Sequence, residues 1–115
     1  MITDTALDRT MSALADPTRR EILQQLSRGE QRVTTLARPF AMSLNAVSKH
    51  IRVLETADLV RRRRVGREHY LTLSPEPLGA AAAWMNTHRD LWTQRLDALD
   101  AVLRAQDAAS LGEDS

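Results

Sequence analysis

The stretch Ser43–Leu73, SLNAVSKHIRVLETADLVRRRRVGREHYLTL, constrains the fold more than any other part of the chain. Val47, Ile51 and Leu54 recur at i, i+4 and i+7, the spacing of one apolar helix face. Burying that face turns Asn45, Ser48, Lys49 and Arg52 to the opposite arc. Asp58 and the β-branched Val60 end the helical pattern. Val60–Arg64 and Arg67–Leu73 then read as two strands around Val65-Gly66, with Leu71 and Leu73 on one face and Tyr70 and Thr72 on the other.

Shorter helices precede this stretch. Leu7, Met11 and Leu14 form one apolar face, and Asp16-Pro17 restarts the chain with an N-cap residue and a proline suited to the first helical position. Ile22, Leu23 and Leu26 mark a second helix that Gly29 can stop. A third runs from about Thr34, with Leu36 and Ala37 inward, until Pro39 ends it. Phe40-Ala41-Met42 makes a tight turn, and Ser43 caps the fourth helix. Two helices joined by a short turn and followed by a hairpin describe a winged helix-turn-helix: mainly α, with a small β wing.

Ser74-Pro75 opens a last helix reaching about Gln106. At ~1.5 Å per residue it would be ~45 Å long, more than a domain of this size covers. Its stripe is Leu78, Met85, Trp92 and Leu99 at seven-residue spacing, joined by Leu96 and Leu103. The expected organisation is one domain over residues 1–107, with 108–115 a flexible tail.

The chain has 115 residues, 43% hydrophobic and 27% charged, which fits one soluble globular domain and argues against wholesale disorder. No apolar run approaches the ~20 residues of a membrane span, and no signal peptide pattern precedes the first helix. The absence of cysteine excludes disulfides, thiolate catalysis and cysteine-held metal, and fits a reducing cytoplasm. The net charge of +1 hides segregation. Residues 44–70 carry seven basic against three acidic side chains, a net +4, whereas 74–115 carry three against seven, a net −4. A basic middle and an acidic end allow one surface to meet a polyanion while the other stays away from it.

A helix with a polar outer face fits the major groove of double-stranded DNA, where its N-terminal side chains reach base edges. Here those side chains are Ser43, Leu44, Asn45, Ser48 and Lys49, with Arg52 one turn further on a phosphate. Asn45 can pair bidentately with adenine, and Lys49 can reach guanine or phosphate. Arg61–Arg64 alternate faces along a strand, so two of the four cannot share a surface. The wing contacts expected on phosphate or in the minor groove are Arg62, Arg64 and Arg67. The competing explanation is that charge on an edge strand prevents sheet-to-sheet pairing.

The ordered set Leu14-Ala15-Asp16-Pro17-Thr18-Arg19-Arg20, Met42-Ser43 through Lys49-His50, Leu59-Val60 and the Gly66-Arg67 hairpin resembles the ArsR family of small winged-helix repressors, from about residue 10 to 105. The resemblance implies a homodimer with the helix matching Ser43–Thr56 in the major groove. It also implies dimerisation through the first and last helices, about Thr3–Leu14 and Pro75–Gln106. The interface residues it points to are Leu7, Met11, Met85, Trp92, Leu96, Leu99 and Leu103. A stripe wider than its own domain independently asks for such a partner.

The chain departs from the metal-sensing members of that family. Its third helix, Thr34-Thr35-Leu36-Ala37-Arg38, has neither cysteine nor acid, and its last helix offers only His88, with Asp90 two residues away and pointing elsewhere. No metal site and no cofactor are expected. Trp84, Met85 and Trp92 could line an apolar pocket, but a stripe at helical spacing is more often core, so no small-molecule effector is assigned. No Gly-rich phosphate loop, activated nucleophile or carboxylate pair suggests an enzyme. The sequence leaves two functions: a sequence-specific transcriptional repressor reading a pseudo-palindrome, or a winged-helix protein-interaction module with only non-specific DNA affinity.

Overall fold

The computed structural model describes residues 5–113, with side chains through 109. The chain divides into two compact units, one ending at Ala81 and the other beginning at Ala82. In order, the elements are α1 (Thr5–Leu14), α2 (Pro17–Leu26), β1 (Gln31–Arg32), α3 (Val33–Ala37), α4 (Leu44–Thr56), β2 (Val60–Val65), β3 (Glu68–Leu73) and α5 (Glu76–Glu113). Thr3, expected in the first helix, lies outside the described residues.

In the first unit, α4 seats its stripe as expected: Val47, Ile51 and Leu54 are fully buried among Ile22 and Leu26 of α2 and Leu36 of α3. Ser43 caps α4 by accepting the Ala46 N–H at 3.1 Å. The far end is a Schellman motif. The Asp58 N–H bonds to the Glu55 carbonyl and the Leu59 N–H to the Leu54 carbonyl, each at 3.0 Å. Asp58 takes the left-handed conformation (φ 59°) where glycine is usual, and Leu54 and Leu59 on either side of it are both fully buried in the core.

α1 differs from expectation. Its inward residues are the small Thr10 and Ala13, with Leu14 packed at the margin of the core, while Leu7 and Met11 are only half-buried. Thr10 satisfies its buried hydroxyl on the Ala6 carbonyl at 3.1 Å. The junction with α2 is reciprocally capped. Asp16 accepts the Arg19 N–H at 2.9 Å, Arg19 donates from Nε to the Ala13 carbonyl at 2.8 Å and from Nη2 to the Ser12 carbonyl at 3.0 Å, and Arg20 reaches the Leu14 carbonyl at 2.7 Å. The Asp-Pro-Thr-Arg-Arg run therefore closes one helix and opens the next.

The sheet is antiparallel in the order β1-β3-β2, and β1, only two residues long, pairs Gln31 with Leu71 and Arg32 with Tyr70. The hairpin register places Val65 opposite Glu68, so the two-residue turn is Gly66-Arg67 and not Val65-Gly66. Gly66 has φ 62° and Arg67 has no positive φ, the type II′ pattern whose twist matches the flanking strands. Arg67 accordingly sits at the tip, not in the second strand.

The second unit is helical from Ala82 to Glu113, past the expected end near Gln106. The extension follows from Ala105, Ala108 and Ala109, strong helix formers, with no proline after Pro77 and no glycine between Gly79 and Gly112. Trp84, Met85, Trp92, Leu96, Leu99 and Leu103 are all exposed, Trp92 to 61%. His88 bonds through Nδ1 to the Trp84 carbonyl at 2.8 Å and stacks on the Trp84 ring, centroids 4.0 Å apart. Leu78, which begins the stripe, lies in the first unit and packs at the edge of its core.

Candidate nucleic-acid interface

With Val47, Ile51 and Leu54 facing inward, helical periodicity divides the rest of α4 into three arcs. Asn45, Lys49, Arg52 and Thr56 point directly away from the core and are exposed. Leu44, Ser48 and Glu55 lie on the arc toward the wing. His50 lies on the arc toward α2, where its Nδ1 is 3.6 Å from the Asp16 carboxylate and 3.5 Å from Arg19 Nη1. That contact ties the outward helix to the capped α1–α2 junction. The Asp16 carboxyl is held below its usual range, chiefly by the Arg19 N–H it accepts and further by His50 and Arg19, against a smaller opposing effect of burial.

The wing register settles which arginines share a face, because directly paired residues of antiparallel strands point the same way. Arg62 pairs with the buried Leu71, and Arg64 with His69, so both lie on the face shared with the core and α4. Arg61 and Arg63 pair with Thr72 and Tyr70 on the opposite face. There Arg63 donates to Glu30 from Nε at 3.3 Å and from Nη2 at 2.6 Å, and lies 5.0 Å from the Tyr70 ring. Thr72 adds a hydroxyl bond to Glu30 at 3.1 Å. The Arg63 guanidinium, helped by Thr72, holds the Glu30 carboxyl below its usual range. Arg32 completes this layer, 3.0 Å from Glu68 and 5.8 Å from the Tyr70 ring.

A cleft of about 390 Å³ runs between the start of α4 and the wing, lined by Leu44 and Ser48 on one side and Arg62, Arg67, His69 and Arg32 on others. Leu44, 51% exposed, presents an apolar surface at its mouth. Lys49 and Arg52 face a second groove of about 470 Å³, shared with Asp8, Arg9 and Ser12 of α1. The structure thus brings Ser43, Leu44, Asn45, Ser48, Lys49 and Arg52 onto one helix, with Arg64 and Arg67 on the adjoining wing. Lys49, Arg52, Arg64 and Arg67 have no ion pair among the described residues. Arg64 donates from Nε to the Gly66 carbonyl at 3.0 Å, which braces the turn.

Arg62 is different. Glu55 holds it through two bonds, Nη2 to Oε1 at 2.6 Å and Nε to Oε2 at 3.3 Å, and its Nη1 lies 3.2 Å from His69 Nδ1. Nothing in the sequence pattern marks Glu55 or Arg32 as a partner of the wing. Arg62 and Glu55 meet only because the chain reverses at Asp58, and no helical or strand spacing signals a pair seven residues apart across a turn.

Comparison with known proteins places this geometry. A family model for the helix-turn-helix domain matches residues 14–63. The chain is 43% identical over 89 residues to the HTH-type transcriptional regulator Rv2034 of Mycobacterium tuberculosis (strain H37Rv), covering 77% of this chain and 80% of that protein. A crystal structure of an ArsR family transcriptional regulator superposes with a TM-score of 0.75 at 39% identity, covering 80% of this chain and 95% of that one. The chain belongs to the ArsR family. This ArsR-family protein is a winged helix-turn-helix transcriptional regulator. It is also similar to a homodimeric winged helix-turn-helix DNA-binding domain from Mycobacterium bovis, solved by NMR, with a TM-score of 0.60 at 29% identity over 74% of this chain and 79% of that one. Among the described residues no helix is long and apolar enough to cross a membrane.

Proposed function

We propose that this ArsR-family protein is a homodimeric, sequence-specific repressor that reads a pseudo-palindromic duplex, with α4 in the major groove and the wing on backbone or minor groove. The observation that carries this reading is the single surface formed by the outward arc of α4 and the wing tip. There Leu44 and Ser48 line the cleft with Arg67, Asn45 and Lys49 lie on the neighbouring outward arc, and Arg64 and Arg67 have no carboxylate partner among the described residues. Ser43, Leu44, Asn45, Ser48 and Lys49 approach base edges, Leu44 against a thymine methyl, while Arg52, Arg64 and Arg67 hold phosphates or the minor groove. Arg62, committed to Glu55, stands apart from this set.

Homodimerisation is supported by α5, whose Met85, Trp92, Leu96, Leu99 and Leu103 expose an apolar stripe flanked by acids, and by the homodimeric relative from Mycobacterium bovis. Leu7 and Met11 of α1 complete the proposed interface. Two α4 helices about 34 Å apart would then meet successive major-groove faces.

Selection of binding sites from a random duplex pool tests the reading. The expected winner is a pseudo-palindrome bound at least ~10³-fold tighter than a scrambled control. Lys49→Ala is expected to cost operator affinity about tenfold, within the range for one lost base contact. Arg64→Ala is expected to lower the salt slope by about 0.9, one phosphate contact. Both variants should sediment as wild type. Undiminished affinity in both, or equal binding to winner and control, refutes the proposal, and the latter result points to a protein-interaction module.

A further inference from the structure

We infer that Glu55 is a specificity determinant of the wing: it holds Arg62 off the phosphate backbone and fixes the wing against the recognition helix, so that Arg62 is a positioning residue. The inference rests on the DNA-reading function proposed above and deepens it.

All three guanidinium nitrogens of Arg62 are engaged inside the chain. Nε and Nη2 grip the two Glu55 oxygens, and Nη1 faces His69 Nδ1 at 3.2 Å. A guanidinium only donates, so at this contact His69 Nδ1 is the acceptor side. The three residues come from three elements: Glu55 from the last turn of α4, Arg62 from the middle of β2 and His69 from β3. Glu55 and Arg62 are each only 31% exposed, so the pair is partly shielded from solvent and salt. Together they join the base of the wing to the helix that enters the groove.

The location makes this more than a surface ion pair. Arg62 lines the cleft with Leu44 and Ser48, two of the proposed base-facing side chains, so a phosphate seated there lies within reach of its guanidinium. Phosphate and carboxylate offer that guanidinium the same bidentate geometry. Exchanging Glu55 for a phosphate would gain little and would leave the Glu55 carboxylate unpaired beside the polyanion, where it repels. The latch therefore stays closed on DNA. One arginine is withheld from the sequence-independent attraction that every duplex shares, and the wing angle is set by the protein instead of by whichever phosphate is nearest.

Neutralising Glu55 opens the latch. Arg62 then becomes an additional phosphate ligand on any duplex, raising affinity for random DNA without adding a base contact. The test measures affinity against salt for wild type, Glu55→Gln, Arg62→Gln and the double variant, on the selected operator and on a random duplex. For Glu55→Gln the salt slope on random duplex is expected to steepen by about 0.9, so that the affinity ratio between 50 and 200 mM salt grows about 3.5-fold. The operator gains the same phosphate contact but loses the fixed wing angle that aligns its base contacts, so the operator-to-random preference is expected to fall. Arg62→Gln alone leaves the Glu55 carboxylate unpaired and weakens binding to both duplexes, so the control is the double variant, which removes both charges and is expected to return to the wild-type slope. A wild-type slope in Glu55→Gln overturns the inference. So does a slope reduced by about 0.9 in the double variant, which would make Arg62 a phosphate ligand already. A slope still raised in the double variant also overturns it, since Glu55 would then act without Arg62. Wild-type protein with no DNA affinity, or none that distinguishes operator from random duplex, removes the functional reading itself, and the wild-type measurements reveal that separately from the variants.

Discussion

Asp16→Ala is expected to destabilise the protein by about 1–2 kcal/mol. Asp16 stands at the N-cap of α2 with extended backbone angles (φ −100°, ψ 131°), and its carboxylate accepts the Arg19 N–H at 2.9 Å. Removing an Asp cap costs about 1 kcal/mol, and up to about 2 in well-formed cases. The neighbouring His50, 3.6 Å away, adds at most a partly screened contribution of about 0.2–1 kcal/mol. Arg19 keeps its bonds to the Ala13 and Ser12 carbonyls, so the α1 terminus stays capped and the loss remains local. For a domain of this size the change corresponds to a fall in Tm of about 5–15 °C. Urea unfolding followed by circular dichroism at fixed protein concentration measures it, with Asp16→Asn as the control that keeps a cap oxygen and loses only the charge. The folded-state carboxyl is depressed below its ordinary value of 3.8, so wild type has its full charge-dependent advantage over Asp16→Asn above that pH. As the pH falls further, the unfolded chain protonates first and the advantage drains away until the folded carboxyl protonates too. Asp16→Ala within about 0.3 kcal/mol of wild type would refute the capping argument. A wild-type advantage over Asp16→Asn that survives unchanged in acid would refute the electrostatic part.

Substitutions at two further positions test the dimer and the end of α4. Leu99→Glu places a charge in the exposed stripe of α5 and is expected to leave a folded monomer by analytical ultracentrifugation, with affinity for the palindrome reduced about 10²–10⁴-fold as the second half-site is lost; a dimer of wild-type strength would remove α5 from the interface. At Asp58 (φ 59°), Asp58→Val is expected to cost about 1–3 kcal/mol while Asp58→Gly is neutral or stabilising, and equal midpoints for the two in urea would show that the left-handed cap carries no strain.

The parts of this fold legible in the sequence are those where one physical preference dominates. Val47, Ile51 and Leu54 announce α4 because a helix half in solvent must repeat its buried face every 3.6 residues. Ser43, Asp16 and Pro17 announce helix starts because orphan N–H groups need an acceptor or need to be absent. α1 misleads for a related reason: apolarity points to Leu7 and Met11, but a helix lying close to its neighbour turns small residues inward, here Thr10 and Ala13. The hairpin was legible in kind and shifted by one residue in register. Gly66 suits either central position of a tight turn, and only the pairing of Val65 with Glu68 decides between them. β1 was invisible, since two residues have no period and Gln31-Arg32 becomes a strand only because β3 offers a free edge. At the interface, the outward residues of α4 followed from its periodicity. The partners of the wing arginines did not, because Glu30 and Glu55 reach them through tertiary contacts.

Those partners change what the basic middle of the chain means. A net +4 over residues 44–70 suggests a uniform attraction, yet the structure sorts the cations by their neighbours. Arg62 and Arg63, adjacent in sequence and on opposite faces, are both spent inside the protein, one on Glu55 of α4 and the other on Glu30 just before β1. The wing is thereby pinned at its base from both sides. Arg64 and Arg67, further along the same hairpin, have no carboxylate within salt-bridge distance among the described residues. In the proposed function, a ribbon fixed at its base and charged at its tip is a short lever of set angle: the base would decide where the tip can go, and the tip would supply the attraction. Substitutions at the tip should therefore scale affinity for all duplexes alike, whereas substitutions at the base should alter which duplex is preferred. Of the four successive arginines, Arg62 and Arg63 point to opposite faces and meet different acids, whereas Arg64, on the same face as Arg62, has no carboxylate partner among the described residues.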